Sequence, residues 1–410
     1  MSDDAPSRLV RSMPMVLRRL VRAGTLHADI EGSVVDIVGP KPGLEAWITI
    51  DDADAVARRV LRTGGVGFAE AYIDGLWDTP DLAELLEFAA DNHDRRRHTA
   101  VWETAMRTSR TAWDRLRGST GTTAVRTMVE HYDLGNEFYA TWLDPSMSYS
   151  SGIFTNGDDL ESAMQTKYER IAARAGIQPG DRVLEIGCGW GAMAEYAAGV
   201  LGCAVTAVTI SHEQHDYVVR RMKEAGLEDR VEVLLTDFRD IDGEYDRVIS
   251  IEMIESIDES AWVDLYSVIS RSLVPGGSAA LQVITIDHDL HLQMIGREEF
   301  IRSYIFPGGA LPSTKILRRL GDDAGLEWIG LSTHGTSYAR TLQAWDERFV
   351  AAWPEIAEQS NRFDERFYRM WRYYLAYCIA GFRSGRIDGV QAVYRKPTID
   401  GDGPPPAIAL

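Results

Sequence analysis

The chain has 410 residues, of which 45% are hydrophobic, and a formal net charge of −19. This length suits one large domain with a smaller companion, and the acidic balance argues against a nucleic-acid partner. Its three cysteines form no paired or metal-ligand spacing, which points to a reducing cytoplasm and no metal site. No apolar run reaches the roughly 18 residues that cross a bilayer, and the segment after Asp3 and Asp4 lacks a signal-peptide core. The expected protein is cytoplasmic, soluble or peripheral at the inner membrane face.

Residues 8–22 come first in chain order. On a helical wheel, Arg8, Arg11, Arg18, Arg19 and Arg22 fall on one side, and Leu9, Met13, Val16, Leu17 and Leu20 on the other. A helix lying in a lipid interface has this pattern, with its arginines toward an anionic membrane surface. An ordinary surface helix shares it, and Pro14 interrupts it unless the helix proper starts there. From Ser33 to Ile50, alternation around Gly39-Pro40-Lys41-Pro42-Gly43 predicts a β-hairpin or two short strands. Helices are predicted over 52–63 and 80–92, separated by Gly64-Gly65-Val66-Gly67 and the aromatic stretch Tyr72 to Trp77. These elements form a small α+β accessory domain over 1–117, whose charged helical end (94–117) leads to a linker at 118–124.

The rest alternates strand and helix patterns, which predicts right-handed βαβ units and a mostly parallel sheet. Strands are expected at 182–187, 203–209, 231–235, 245–251 and 278–285, and a last one near 390–395 after the aromatic-rich helices that begin at 340. The second domain thus spans 125–396, and the tail at 397–410, with its Gly-Asp-Gly-Pro-Pro-Pro run, is expected to be disordered.

The run Val183-Leu184-Glu185-Ile186-Gly187-Cys188-Gly189-Trp190-Gly191 joins a strand to an alanine-rich helix. Glycines are required where the backbone turns sharply and a ligand approaches closely. The spacing is G-x-G-x-G, unlike the G-x-G-x-x-G of nicotinamide enzymes. With Glu185 at the strand end, it points to S-adenosyl-L-methionine (AdoMet). The loop would receive the AdoMet carboxylate on backbone N–H groups. The next strand ends supply the remaining contacts. Thr209, Ser211 and Gln214 stand where the ribose would lie, while Asp237, Phe238 and Arg239 stand at the adenine slot. Taken singly, Thr209 and Ser211 read equally well as helix caps, Phe238 as core and Asp237 as a turn residue.

His131-Tyr132-Asp133-Leu134-Gly135-Asn136-Glu137-Phe138-Tyr139, then Tyr149-Ser150-Ser151, the glycine loop, Thr209 to Gln214, Met253-Ile254-Glu255-Ser256 and Tyr304-Ile305-Phe306-Pro307-Gly308-Gly309 follow in order. Over about 125–396 this closely resembles the cyclopropane fatty acid synthases, which include the mycolic acid methyltransferases. The resemblance implies an α/β, Rossmann-like class I AdoMet-dependent methyltransferase fold, with the smaller N-terminal domain facing lipid. It implies methyl transfer from AdoMet to a cis double bond of an acyl chain, with Tyr149 and Ser150 at the cofactor and His131 in the catalytic set. The alkene attacks the sulfonium carbon and becomes a carbocation, so the site must shelter a cation and then remove a proton. Tyr338, Tyr304, Trp345, Phe363, Tyr368, Trp371 and Tyr377 are candidates to face that cation.

Family members hold a bicarbonate ion as base. Of its implied ligands the chain keeps Glu255 and Tyr338, with Ile284 at the backbone position. It has Ser151 in place of a cysteine, Gln282 in place of a histidine, and Ser256 in place of the histidine beside the glutamate. Serine and glutamine still donate hydrogen bonds to an anion. Alternatively Glu255 removes the proton itself or orients a water or bicarbonate, with Glu252 as a second carboxylate one turn earlier. The altered base set makes the chain most similar to the 10-methylene fatty acid synthases of the tuberculostearic acid pathway. In that pathway a flavin-dependent reductase saturates the product. The implied substrate is an oleoyl phospholipid and the implied assembly a homodimer. A cyclopropane fatty acyl phospholipid synthase is the alternative product reading, and an inactive lipid- or AdoMet-binding partner protein is the alternative of another class.

Overall fold

The computed structural model describes residues 8–93, 134–294 and 299–398. His131, the 94–117 connector, the 118–124 linker and the tail beyond residue 398 lie outside the described residues, as do the side chains of Arg8 and Arg11. The chain forms two compact units. One comprises Met1–Met128, Arg297–Pro307 and Arg362–Ser384, and the other comprises Val129–Gly296, Gly308–Asn361 and Gly385–Leu410.

The first unit is built on a four-stranded sheet of order β2-β1-β3-β4. Strand β1 (Ala23–Ile30) pairs antiparallel with β2 (Ser33–Val38) and parallel with β3 (Lys41–Ile50), while β4 is the short Trp77–Asp78. Every second residue of β1 is buried, so Leu26, Ala28 and Ile30 face the core. Helices Ala53–Thr63 and Leu82–Asn92 occupy their predicted places, capped by Asp52 and Asp81, whose carboxylates accept from Ala55 N and Glu84 N. The glycine stretch holds a further helix, Gly65–Ile73. There Gly67 permits close helix packing, because a Cβ would lie 2.2 Å from Arg59 O.

Helix Glu365–Arg383 also belongs to this unit. Arg369 donates to Tyr72 O and Trp77 O at 2.6 and 3.0 Å, and its guanidinium lies 3.9 Å from the Tyr72 ring centroid. Consecutive residues at 125–396 therefore do not make one body. Segments 299–307 and 362–384 carry apolar and aromatic residues that add to the first unit's core.

The second unit is a seven-stranded sheet of order β10-β11-β9-β8-β5-β6-β7. Strands β5 (Arg182–Ile186), β6 (Ala204–Thr209), β7 (Val231–Leu235), β8 (Tyr245–Ile251) and β9 (Leu273–Ile286) run parallel, as their alternation with helices predicts. Strand β11 (Ile387–Arg395) inserts antiparallel between β9 and β10 (Glu327–Thr333). Strand β10 escapes sequence reading because it is a half-buried edge interrupted by Gly330. The core lies on the sheet, with Leu184, Val248, Leu281 and Ala392 buried in neighbouring strands. This is the expected class I AdoMet-dependent methyltransferase fold, and its ligand side is at the carboxyl ends of β5 to β8. Among the described residues, no helix is long and apolar enough to cross a membrane.

Candidate active site

The glycine loop follows β5. Gly187, Gly189 and Gly191 have φ of 84°, 52° and 84°. Gly187 N and Cys188 N both donate to Val208 O of β6 at 3.0 Å, which pins the turn to the sheet's end. A Cβ on Gly187 would lie 2.7 Å from Met253 Cγ, and one on Gly191 2.9 Å from Val218 Cγ1. A Cβ on Gly189 meets nothing within 4 Å, so this residue opens onto free space. Beside the loop, Glu185 is 3% exposed and its Oε2 has no hydrogen-bond partner. Burial pushes its carboxyl up to about 8, against the pull of the Ala194 N–H, Arg221 and Lys167. An orphaned buried carboxyl next to a glycine turn fits the cationic methionine end of AdoMet, which these residues would hold.

At the end of β6, Thr209 Oγ1 donates to Gln214 Oε1 at 2.8 Å and accepts from Ser211 N at 3.1 Å. Ser211 caps the helix His212–Glu224 through Gln214 N. The three predicted ribose residues thus form one bonded turn, with the Gln214 amide oxygen already engaged. After β7, Asp237 accepts from Arg239 N, Nε and Nη2 at 2.9, 2.9 and 2.7 Å. The Arg239 guanidinium holds the Asp237 carboxyl below its ordinary range. Phe238 is 8% exposed and packs in the core cluster. The structure brings all three to the strand end, but Asp237 faces Arg239 and Phe238 faces the protein.

Asn136 ties its segment to the glycine loop, since its Oδ1 accepts from Trp190 Nε1 at 2.7 Å. Around it Tyr149 packs between Tyr139 and Trp345, with ring centroids at 5.3 and 5.4 Å. Ser150 Oγ accepts from Lys167 Nζ at 2.8 Å. Lys167 is fully buried, and sequence reading overlooked it. The signal was present, because Lys167 shares the buried face of its helix with Met164, Tyr168 and Ile171.

The base-site residues converge at the end of β8. Register places Ile251 opposite Gln282 of β9, and Gln282 opposite Gln391 of β11. Glu252 follows Ile251 at φ 52°, a left-handed backbone that few residues other than glycine adopt. Glu252 Oε1 accepts from Ser151 N at 3.0 Å and Gln282 Nε2 at 2.9 Å, and Oε2 accepts from Tyr338 OH at 2.6 Å. Gln282 Nε2 also donates to Ser151 O at 3.1 Å, and its Oε1 accepts from Gln391 Nε2 at 3.0 Å. The Ser151 hydroxyl turns away and donates to Gly152 O.

Glu255 lies on the next turn. Its Oε1 accepts from Ile284 N, while its Oε2 is buried without a hydrogen-bond partner. Burial, then the charge of Glu252, raises the Glu255 carboxyl to about 8. Burial also raises Glu252, opposed by its bonds from Tyr338, Gln282 and Ser151. Two carboxyls so placed titrate as a pair. The Glu255 carboxyl, raised to about 8, keeps its proton near neutrality, while three donors converge on the Glu252 carboxyl. Gln391, which sequence reading missed, is the one polar side chain in the run Val390-Gln391-Ala392-Val393.

Of the seven aromatic candidates, Tyr338 and Trp345 belong to this unit. Tyr304, Phe363, Tyr368, Trp371 and Tyr377 belong to the other. There Tyr304 OH donates to Glu70 Oε1 at 2.7 Å and Trp371 is fully buried. Three of these five, Tyr368, Trp371 and Tyr377, stand on the helix Glu365–Arg383 of the first unit.

Comparison with known proteins agrees with this fold. The family described as mycolic acid cyclopropane synthetase matches residues 119–392. Tuberculostearic acid methyltransferase UfaA1 of Mycobacterium tuberculosis is 36% identical over 97% of this chain and 93% of its own length. The cyclopropane-fatty-acyl-phospholipid synthase of Escherichia coli K12 is 35% identical over 84% of this chain and 86% of its own. Among solved structures, mycolic acid cyclopropane synthase CmaA1 complexed with SAH and CTAB aligns at TM-score 0.61 and 28% identity, covering 66% of this chain and 97% of that one. The cyclopropane synthase MmaA2 from Mycobacterium tuberculosis aligns at 0.61 and 29%, covering 66% and 98%.

Proposed function

The chain belongs to the mycolic acid cyclopropane synthetase family, and on that premise we propose that it methylates the cis double bond of an unsaturated phospholipid acyl chain and releases a 10-methylene product. The observation that carries this reading is the buried Glu252–Glu255 pair at the end of β8. AdoMet supplies the electrophilic methyl group. The chain's own residues exclude water and remove one proton from the resulting carbocation on the acyl chain. Glu252, held by three donors, is the group that takes that proton, and Glu255, raised to about 8, stays protonated at neutral pH. A hydride shift before proton loss places the cation on the carbon bearing the new methyl group, and loss of a methyl proton then leaves a methylene branch on the chain. Likeness to a tuberculostearic acid methyltransferase across nearly the whole chain favours this outcome over ring closure. A flavin-dependent reductase would then give the 10-methyl branch. Ring and methylene products have equal mass, so proton NMR of lipid made from AdoMet and oleoyl phospholipid is the test. Vinylidene protons downfield are expected, and upfield cyclopropyl protons alone would sink the reading.

The first unit is proposed to meet the membrane through helix Arg8–Leu20. Val16 and Leu20 of the apolar side are 52 and 57% exposed, so they do not bury their whole apolar surface on the protein. Arg18 and Arg19 are exposed on the same helix. This supports an interfacial helix over an ordinary surface one. Arg18→Glu with Arg19→Glu should weaken binding to anionic liposomes by at least roughly 2 kcal/mol, about 1 for each arginine lost, and added salt should erase the difference. Equal binding by both proteins would return the helix to an ordinary surface element.

A further inference from the structure

We propose that the Glu252 side chain permanently fills the anion seat of this site, so that the enzyme carries its own carboxylate base and works without bicarbonate. The proposal rests on the methyl-transfer reading above. The resemblance in sequence implies an ion held by Glu255 and by donors at the positions of Ser151, Gln282, Tyr338 and the Ile284 backbone. In this chain each of those donors already serves a glutamate. Ser151 N, Gln282 Nε2 and Tyr338 OH all donate to Glu252, and Ile284 N donates to Glu255. One planar carboxylate receives three donors converging from the loop after Tyr149, from β9 and from the helix Gly335–Gln359.

Two further features show that this is a built arrangement. Glu252 is one of three residues other than glycine with positive φ among the described residues. Such strain costs on the order of 1–3 kcal/mol and persists where the surroundings fix it. Glycine would hold this backbone without strain, so the carboxylate is the reason for a side chain here. Gln391 then decides which way the Gln282 amide points. By donating to Gln282 Oε1 it turns the amide nitrogen toward Ser151 O and Glu252. Gln391 is thus a positioning residue for the base. In the proton step, a C–H bond of the new methyl breaks and its electron pair forms the C=C bond to the cationic carbon. The proton passes to a Glu252 oxygen.

The test compares the full-length wild-type enzyme with Glu252→Gly and Glu252→Gln, in buffer stripped of carbon dioxide and in buffer with added bicarbonate. Two quantities are read: AdoMet-dependent turnover and line broadening of ¹³C-bicarbonate. Wild type should turn over equally in both buffers and leave the ¹³C line sharp. Glu252→Gly, whose backbone suits its position, should stay folded. It should lose about 10³-fold in turnover without bicarbonate, recover at least about tenfold with it, and broaden the line. Glu252→Gln fills the seat with a neutral amide, so it should stay slow in both buffers. Wild-type turnover that collapses on stripping and returns with bicarbonate, or a broadened wild-type line, would overturn the proposal. If no protein methylates unsaturated lipid, the reaction reading fails. The ¹³C line still decides who occupies the seat.

Discussion

Gly187→Ala should cost the enzyme its stability and its catalysis together, whereas Gly189→Ala should cost mainly AdoMet affinity. At Gly187 the left-handed backbone penalises any Cβ by about 1–2 kcal/mol. The same atom would press into Met253 at 2.7 and 2.9 Å, adding about 1–3 kcal/mol of overpacking. Met253 lies between Glu252 and Ile254, so its displacement shifts both carboxylates of the pair. The expected result is a fold weakened by about 2–5 kcal/mol and a large loss of turnover even at saturating AdoMet. Gly189 also has positive φ but faces open space. Its alanine variant should unfold within about 1–2 kcal/mol of wild type and bind AdoMet roughly 100-fold more weakly, a difference of about 2.7 kcal/mol. Denaturation paired with AdoMet calorimetry separates the two. Equal AdoMet affinity in Gly189→Ala and wild type would remove that glycine from the cofactor cradle.

Glu255→Gln should make the cofactor-free enzyme more stable, and increasingly so as pH rises from about 5 to 8. In the fold this carboxyl titrates at about 8, against an ordinary value of 4.5. The raised value means that the folded state holds a proton the unfolded chain has released. Its stabilising contribution is therefore complete below pH 4.5 and is lost as pH rises through about 8. Each pH unit in that window removes about 1.4 kcal/mol. Glutamine cannot ionise, and it can still accept from Ile284 N. Chemical denaturation at several pH values should show a slope shallower by about one proton, worth on the order of 3–5 kcal/mol at pH 8. Glu185 is raised to about 8 by its own burial, so a decline with pH remains in the variant. The turnover–pH curve should lose its inflection near 8. Identical slopes in both proteins would place the Glu255 proton elsewhere.

The parallel sheet was legible because each of β5 to β9 is a short apolar run followed by a helical pattern. The glycine loop was legible because backbone needs and ligand needs coincide there. Glu255, Tyr338, Gln282 and Ser151 were found by likeness, and the structure does gather them. What sequence could not supply was the partner of each group. Glu252 looked like a spare carboxylate until three donors were found on it. Asp237 looked like an acceptor for adenine, and only the fold shows that Arg239 holds its oxygens. Lys167 and Gln391 stand in helix and strand patterns that explain burial but not polarity, so only the fold gives their role. The aromatic residues after 360 belong to the first unit, which their nearness in sequence to the base site did not reveal.

Membership of the helix Glu365–Arg383 in the first unit also has a meaning for synthesis. Arg369 lies 297 residues after Tyr72, whose backbone and ring it holds. A chain made from its N-terminus exposes the sheet of Ala23–Ile50 long before that helix leaves the ribosome. The nascent unit must therefore wait, with part of its apolar surface uncovered, until most of the polypeptide has emerged. Such a surface invites misassembly in the interval, and a gene fragment ending before residue 362 would leave it open for good.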